Sequence, residues 1–398
     1  MNRSSGYFPL VLLLSGLFSS CAAEPDPETS APGIVRSAAG TTKVCQLLGD
    51  RDLQTGLPVS NQTLTRAGIY GSDLGVSFEH DGKLWLLFGD TVGASLNNED
   101  ALAWSQDTTP EDCLDLTFPV DAKKKWVPPL VPGLAQGAFE VPMEGVSAQG
   151  KMYVYFTTDH SDQHDMGRSV LARSADLGAS FQLVTDISRL GKFINVSAEK
   201  VDCADLPGLP PCEGEGLLLW GSGEYRRSNV ALSFQPLSSI EAPGSRRYLA
   251  GLDQGVPRWS EAEAEAMALF DEPCVGELSV AYSAHLKKWL MTYNCLSQRG
   301  IRLRTADQPW GPWSASTSLF DPDQDGGYCH FMHVSYQDRR CDTVFDPNRE
   351  NEYGGEYGPY LIPRFFQPGQ GSLVIYFTMS TWNPYTVLLM KAELVRAD

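Results

Sequence analysis

The sequence is poor in positive charge. Its 398 residues carry 31 Lys and Arg against 49 Asp and Glu, a formal net charge of −18. Nucleic acid and anionic lipid headgroups would meet a repulsive field and are poor partners. Helical periodicity is nearly absent. The clearest candidate is Ser260–Leu269 (SEAEAEAMAL), with Ser260 placed as N-cap and Glu263 at the capping-box position, which predicts one short surface helix. After the N-terminal segment no apolar run is long enough to cross a bilayer. The nine cysteines contain no C-x-x-C pair, so neither a zinc ribbon nor a thioredoxin-type redox motif is indicated. A glycine-rich phosphate loop, a serine nucleophile elbow and an H-E-x-x-H helix are also lacking.

The N-terminus reads as an export signal. Asn2 and Arg3 precede an apolar run from Tyr7 to Phe18, too short for a mature membrane helix. The run ends in Leu17-Phe18-Ser19-Ser20-Cys21, which resembles a bacterial lipobox with Phe18 where Leu is usual. Residues 1–21 are thus a signal peptide with Cys21 as the lipidation residue. The alternative is ordinary cleavage after Ala22 or Ala23. Residues 22–40 are rich in Pro, Ala, Ser and Glu and read as a flexible tether. No second linker interrupts residues 41–398, which are expected to form one domain and a monomer. The expected location is the bacterial cell envelope, as a lipoprotein, or outside the cell, with the membrane touched only through the lipid anchor.

The cysteines agree with export. Setting Cys21 aside from the nine leaves eight, an even number. Short spacing favours Cys203 with Cys212 and Cys329 with Cys341, and Cys274 and Cys295 flank a hairpin that they could bridge.

Strand signals recur along the chain. Leu84–Phe88, Met152–Thr157, Leu217–Trp220, Leu278–Tyr282, Trp289–Tyr293 and Leu373–Thr378 are short β-branched or aromatic runs bounded by Gly, Pro, Asn or Asp. Ser174-Ala175-Asp176-Leu177-Gly178-Ala179-Ser180-Phe181 resembles the Asp-box of sialidase-like propellers, a tight hairpin between outer strands of a blade. Arg304–Trp313 looks like a second outer hairpin. The fold class is therefore all-β, a propeller of four-stranded blades, with a β-sandwich as the competing architecture.

Seven strings narrow this further: Gly71–Gly75, Phe88–Thr91, Gly223–Ser228, Val275–Val280, Arg304–Trp313, Tyr357–Tyr360 and Ser380–Tyr385. Together they resemble a bacterial family, catalogued as a domain of unknown function, of five-bladed β-propellers that includes endo-D-arabinanases. The resemblance implies a glycoside hydrolase cutting a furanosyl polysaccharide, D-arabinan above all, and needing no cofactor. The other class it leaves open is a non-catalytic envelope lectin or scaffold of the same fold.

Glycosidase chemistry needs two carboxylates in one pocket, one to protonate the leaving oxygen and one to activate water or attack. Asp73 and Asp90 lie at the two ends of the first hairpin, and Glu277 starts a central-type strand in a later blade. By analogy with arabinanase-type propellers, Asp73 is expected to be the base, kept ionised by a donor such as Arg226. Glu277 is expected to be the acid, its pKa raised by burial. A gap of about 6.5–9.5 Å between them would leave room for water and imply inversion. Glu140 and Glu144 are the reserve carboxylates. Tyr225, Arg226, Ser228, His333, Tyr357, Trp382, Asn383 and Tyr385 are candidate contacts to sugar. Asp321, Asp323 and Asp325 have the D-x-D-x-D-G spacing of a calcium loop, but Met332 stands where an EF-hand needs Glu, so at most a structural calcium is suggested. Asp159-His160 with His164-Asp165 is a weaker cation candidate.

Overall fold

The structure, a computed structural model, describes residues 33–94, 96–295, 298–334, 343–345 and 353–397. Cys21, the stretch up to residue 32 and Cys341 lie outside the described residues. Strands dominate, and the one α-helix among the described residues is Thr63–Ala67.

Five apolar segments become the second strands of five sheets: Lys83–Gly93, Lys151–Thr158, Glu215–Ser222, Lys288–Cys295 and Ser372–Thr381. Each is hydrogen-bonded on both edges and packed between neighbouring sheets, so both faces are dry. Continuous apolar sequence follows in place of alternation. In Lys151–Thr158 every residue after the first is buried, whereas the outermost strand of that sheet, Gln182–Arg189, is mostly exposed or half-buried. Trp220 of the third sheet meets Trp289 of the fourth with ring centroids 5.2 Å apart. The first hairpins of the first and second blades turn where two consecutive residues accept positive φ, at Asp81 (51°) and Gly82 (72°) and at Gln149 (51°) and Gly150 (70°).

The innermost strands are Ile69–His80, Pro142–Ala148, Asn195–Asp202, Val275–Ser283 and Glu356–Leu361. Each packs on the next and the last returns to the first, which closes a five-bladed β-propeller. The ring is sealed by the two ends of the chain. Ile34–Gln46 pairs antiparallel with Thr386–Arg396 as the outermost strand of the fifth blade. Residues 34–40 are therefore strand and not tether. Their small and polar composition hid this, because the partner that orders them lies at the far end of the sequence. The first blade has three strands, and Trp104 and Thr117 exchange backbone hydrogen bonds of 3.0 and 2.9 Å on its outer side.

Three disulfides are described. Cys203–Cys212 and Cys274–Cys295 pair as their spacing suggested, and Cys45–Cys113 ties the closing strand to the first blade. The Asp-box forms its turn: Ser174 Oγ donates to Asp176 Oδ1 (2.8 Å), which also accepts from the Ser180 N–H (2.9 Å), and Gly178 takes φ 82°. The expected helix at 260–269 is not formed. Ser260 ends the strand Val256–Ser260, and Glu263–Glu265 makes a single 3₁₀ turn. Glu263 is diverted from capping, since it accepts from Ser188 Oγ and the Lys192 N–H at 2.6 Å each.

Candidate active site

The five inner strands start at one mouth of the ring and finish at the other. Asp73, Glu277 and Tyr357 line a cavity of about 760 Å³ at the first mouth. Residues further along the same strands, Ser77, Ser279 and Leu361, line one of about 240 Å³ at the second.

Asp73 lies opposite Gly89, in a pair of strands whose register slips three times. Leu74 (φ 65°) and Asp90 (φ 41°) both take left-handed backbone. These irregularities aim both carboxylates at the cavity, the kind of local strain that functional sites store. A Cβ on Gly89 would stand 2.7 Å from Val141 Cγ1 and 3.0 Å from Asp73 Oδ1, so glycine leaves the space that the carboxylate occupies.

Asp73 is only 8% exposed. Tyr357 Oη donates to its Oδ2 at 2.9 Å, while the nearby Tyr385 hydroxyl donates to the Asp90 carbonyl at 3.0 Å. Burial, then the charges of Asp90 and Glu277, push its pKa up to about 8. Asp90 is half-buried and accepts from the Phe139 N–H at 3.3 Å; burial pushes its pKa up to about 6. The Oδ1 atoms of both carboxyls are buried without a hydrogen-bond partner among the described residues.

Glu277 is 2% exposed and held on both oxygens. Arg226 donates to it from Nε (3.2 Å) and Nη2 (2.8 Å), and Tyr225 Oη at 3.2 Å. Burial alone would raise its pKa, but the Arg226 charge and hydrogen bonds outweigh burial and hold it low. The expected ionisation states are therefore reversed. Arg226 leaves the third blade toward its neighbour, the fourth, and meets Glu277. Asp73, on the first blade, faces Asp90 and two tyrosines, and its pKa is pushed up where that of Glu277 is held low.

A family model for a domain of unknown function, DUF4185, matches residues 59–391. The chain belongs to that family. No curated protein matches the sequence. Solved structures similar in architecture include an exo-β-1,3-galactanase from Phanerochaete chrysosporium (10% identity, TM-score 0.46, 91% of this chain and 64% of that one). A GH43_1 enzyme from Xanthomonas citri (13%, 0.45, 84% and 92%) and an arabinanase from Bacillus subtilis (13%, 0.41, 81% and 96%) are others. These likenesses assign no residue and no activity to the DUF4185 chain.

Of the other candidates, Tyr225, Arg226, Tyr357, Trp382 and Tyr385 line the cavity. Trp382 is 51% exposed and packs edge-on to Tyr385 at 5.7 Å. Ser228 does not line it: its Oγ accepts from the Gly223 N–H (2.6 Å) and donates to the Asn229 carbonyl (3.1 Å), fixing a turn. His333 and Asn383 are fully buried behind the wall, where the His333 N–H donates to the Asn383 carbonyl at 3.1 Å. Glu144 belongs to the second mouth, accepting from the Gly145 and Ala198 N–H groups and Ser197 Oγ, with burial pushing its pKa up to about 8. It stands past Val141, which lines the first mouth, and beside Gly145, Val146 and Ser147, which line the second. Glu140 is buried and accepts from the His160 N–H at 3.1 Å.

The acidic loop is closed by protein donors: Asp325 pairs with Arg36 and accepts from the Thr41 and Asp321 N–H groups, while Asp321 accepts from Asp323 and Gln324. Asp159 is bound to Arg168 and Arg189. The one metal-like cluster among the described residues, Glu272 with Cys274 and Cys295, has its sulfurs in a disulfide. Phe139, Arg299, Tyr353 and Glu356 are among the wall residues that the sequence did not mark. None sits in an alternating or apolar pattern that would have marked it.

Proposed function

We propose that this chain is an exported glycoside hydrolase that cuts a furanosyl polysaccharide internally, with D-arabinan as substrate. The observation that carries the reading is the Asp73–Asp90 pair, two adjacent carboxyls in one funnel whose surroundings hold one protonated and leave the other ionised near neutral pH. Asp73 would give its proton to the glycosidic oxygen as the C–O bond breaks. The Asp90 carboxylate would take a proton from the attacking water, or attack the anomeric carbon itself. Glu277 has both oxygens engaged, which suits it to positioning Arg226 and Tyr225 and to keeping Asp73 protonated.

Internal cleavage is supported by a third cavity of about 390 Å³ that shares Met166 and Tyr225 with the funnel and extends it over the second and third blades. D-arabinan is supported by the family resemblance and by a net charge that suits a neutral polymer. Attachment through Cys21 belongs to the same proposal and rests on the lipobox-like sequence. Incubation with mycobacterial arabinogalactan tests the reading. New reducing ends on oligosaccharides of intermediate length are expected; glycan binding with no release would favour the lectin, and release of free arabinose alone would contradict internal cleavage.

A further inference from the structure

The funnel has a second polar centre that the chemistry at Asp73 and Asp90 does not use. Glu356 opens the inner strand of the fifth blade, one residue before Tyr357, and lines the cavity. It is 8% exposed. One carboxyl oxygen accepts from the Gly300 N–H at 2.6 Å, and the other, Oε2, is buried with no hydrogen-bond partner among the described residues. A buried carboxyl oxygen left unmatched is costly unless something else meets it. The backbone is built to hold this carboxyl. Gly300 takes φ 89°, and a Cβ there would stand 2.1 Å from the Phe320 carbonyl, so only glycine brings that N–H to Glu356.

The surroundings suit a sugar. Arg299 lies over the Tyr353 ring with its guanidinium carbon 3.5 Å from the centroid, making a flat, donor-rich wall beside Glu356. The exposed indole of Trp382 lines the same cavity, and its Cβ lies 3.2 Å from where a Gly355 side chain would begin. The strongest charges acting on Glu356 are Arg299 and Asp321, whereas those acting on Asp73 are Asp90 and Glu277. The two centres are thus electrostatically separate within one funnel.

We propose that Glu356, walled by Arg299, Tyr353 and Trp382, is a sugar-binding subsite that takes a hydroxyl of a neutral glycan unit beyond the one cleaved. This rests on the glycoside hydrolase reading above. An anionic sugar would be repelled by the same carboxyl. The subsite lies on the side of the fourth and fifth blades, across the funnel from the extension over the second and third, so a chain would be gripped on both sides of the cleavage point.

The test uses arabinofuranosyl oligosaccharides of graded length prepared from arabinogalactan, with the full-length protein and Glu356→Gln and Glu356→Ala. Losing a hydrogen bond to a buried charged group predicts KM rising on the order of tenfold on long oligosaccharides for Glu356→Ala. The rise should shrink as the substrate shortens, and kcat should fall far less. Glu356→Gln, which keeps an acceptor for Gly300, should fall between. Equal loss at every length, or loss that tracks a lowered Tm in both variants, would make Glu356 merely structural and overturn the inference. Unaltered kinetics in Glu356→Ala would also overturn it, while leaving the hydrolase reading intact. Wild-type protein that neither cleaves nor binds these oligosaccharides in calorimetry would overturn both.

Discussion

Two aspartates one strand apart sit in environments that differ in depth. Asp73 is the more deeply buried and has two negative neighbours, Asp90 and Glu277, whereas Asp90 keeps one edge toward the cavity. The chemistry proposed needs Asp90 ionised and Asp73 protonated. The pair should therefore give a bell-shaped dependence of kcat/KM, rising through about pH 6 and falling through about pH 8. Glu277→Gln removes a negative charge that raises the Asp73 pKa and frees the Arg226 cation. Both changes favour ionised Asp73, so the alkaline limb should move to lower pH. A profile of reducing-end release that stays flat from pH 5 to pH 9, or an alkaline limb that moves upward in Glu277→Gln, would contradict these assignments. Sequence alone marked Asp73, Asp90 and Glu277 as the carboxyls of interest. Their ionisation was not legible, because it depends on Arg226 of the third blade meeting Glu277 of the adjacent fourth.

At the scale of elements, the long apolar second strands were legible because burial on both faces leaves an unbroken hydrophobic run, as in Met152–Thr157. The bulges around Asp73 and Asp90 were not, since an extra residue in one strand leaves no periodic mark. Nor was the helix-like SEAEAEAMAL segment read correctly: local propensity yielded to contacts that Glu263 makes with Ser188 and Lys192. The strand Ile34–Gln46 carries the ring closure, and the Cys45–Cys113 disulfide links residues 68 apart across that seam. Replacing both cysteines by Ser should lower unfolding stability by about 2–4 kcal/mol. Denaturant titration of the double variant checks this, and a midpoint equal to the wild type's would show that strand pairing alone holds the seam.

For the whole molecule, closure of the ring brings one end of all five inner strands to a single mouth, while each blade keeps an outer edge strand. The funnel residues come from positions as distant as Asp73 and Tyr385, and a ring is what assembles them. The sequence carried enough repeated strand and turn signals to indicate this architecture. It could not indicate which mouth each inner-strand residue faces, which is why Glu144 proved to belong to the far one. The central claim, that Asp73 and Asp90 together cleave a glycosidic bond, is tested most directly by reducing-end release from mycobacterial arabinogalactan by Asp73→Asn and Asp90→Asn beside the wild type. Both swaps keep shape, so each should leave folding and glycan binding nearly intact while lowering turnover on the order of 10²–10⁴-fold. Wild-type turnover in either variant would contradict the claim.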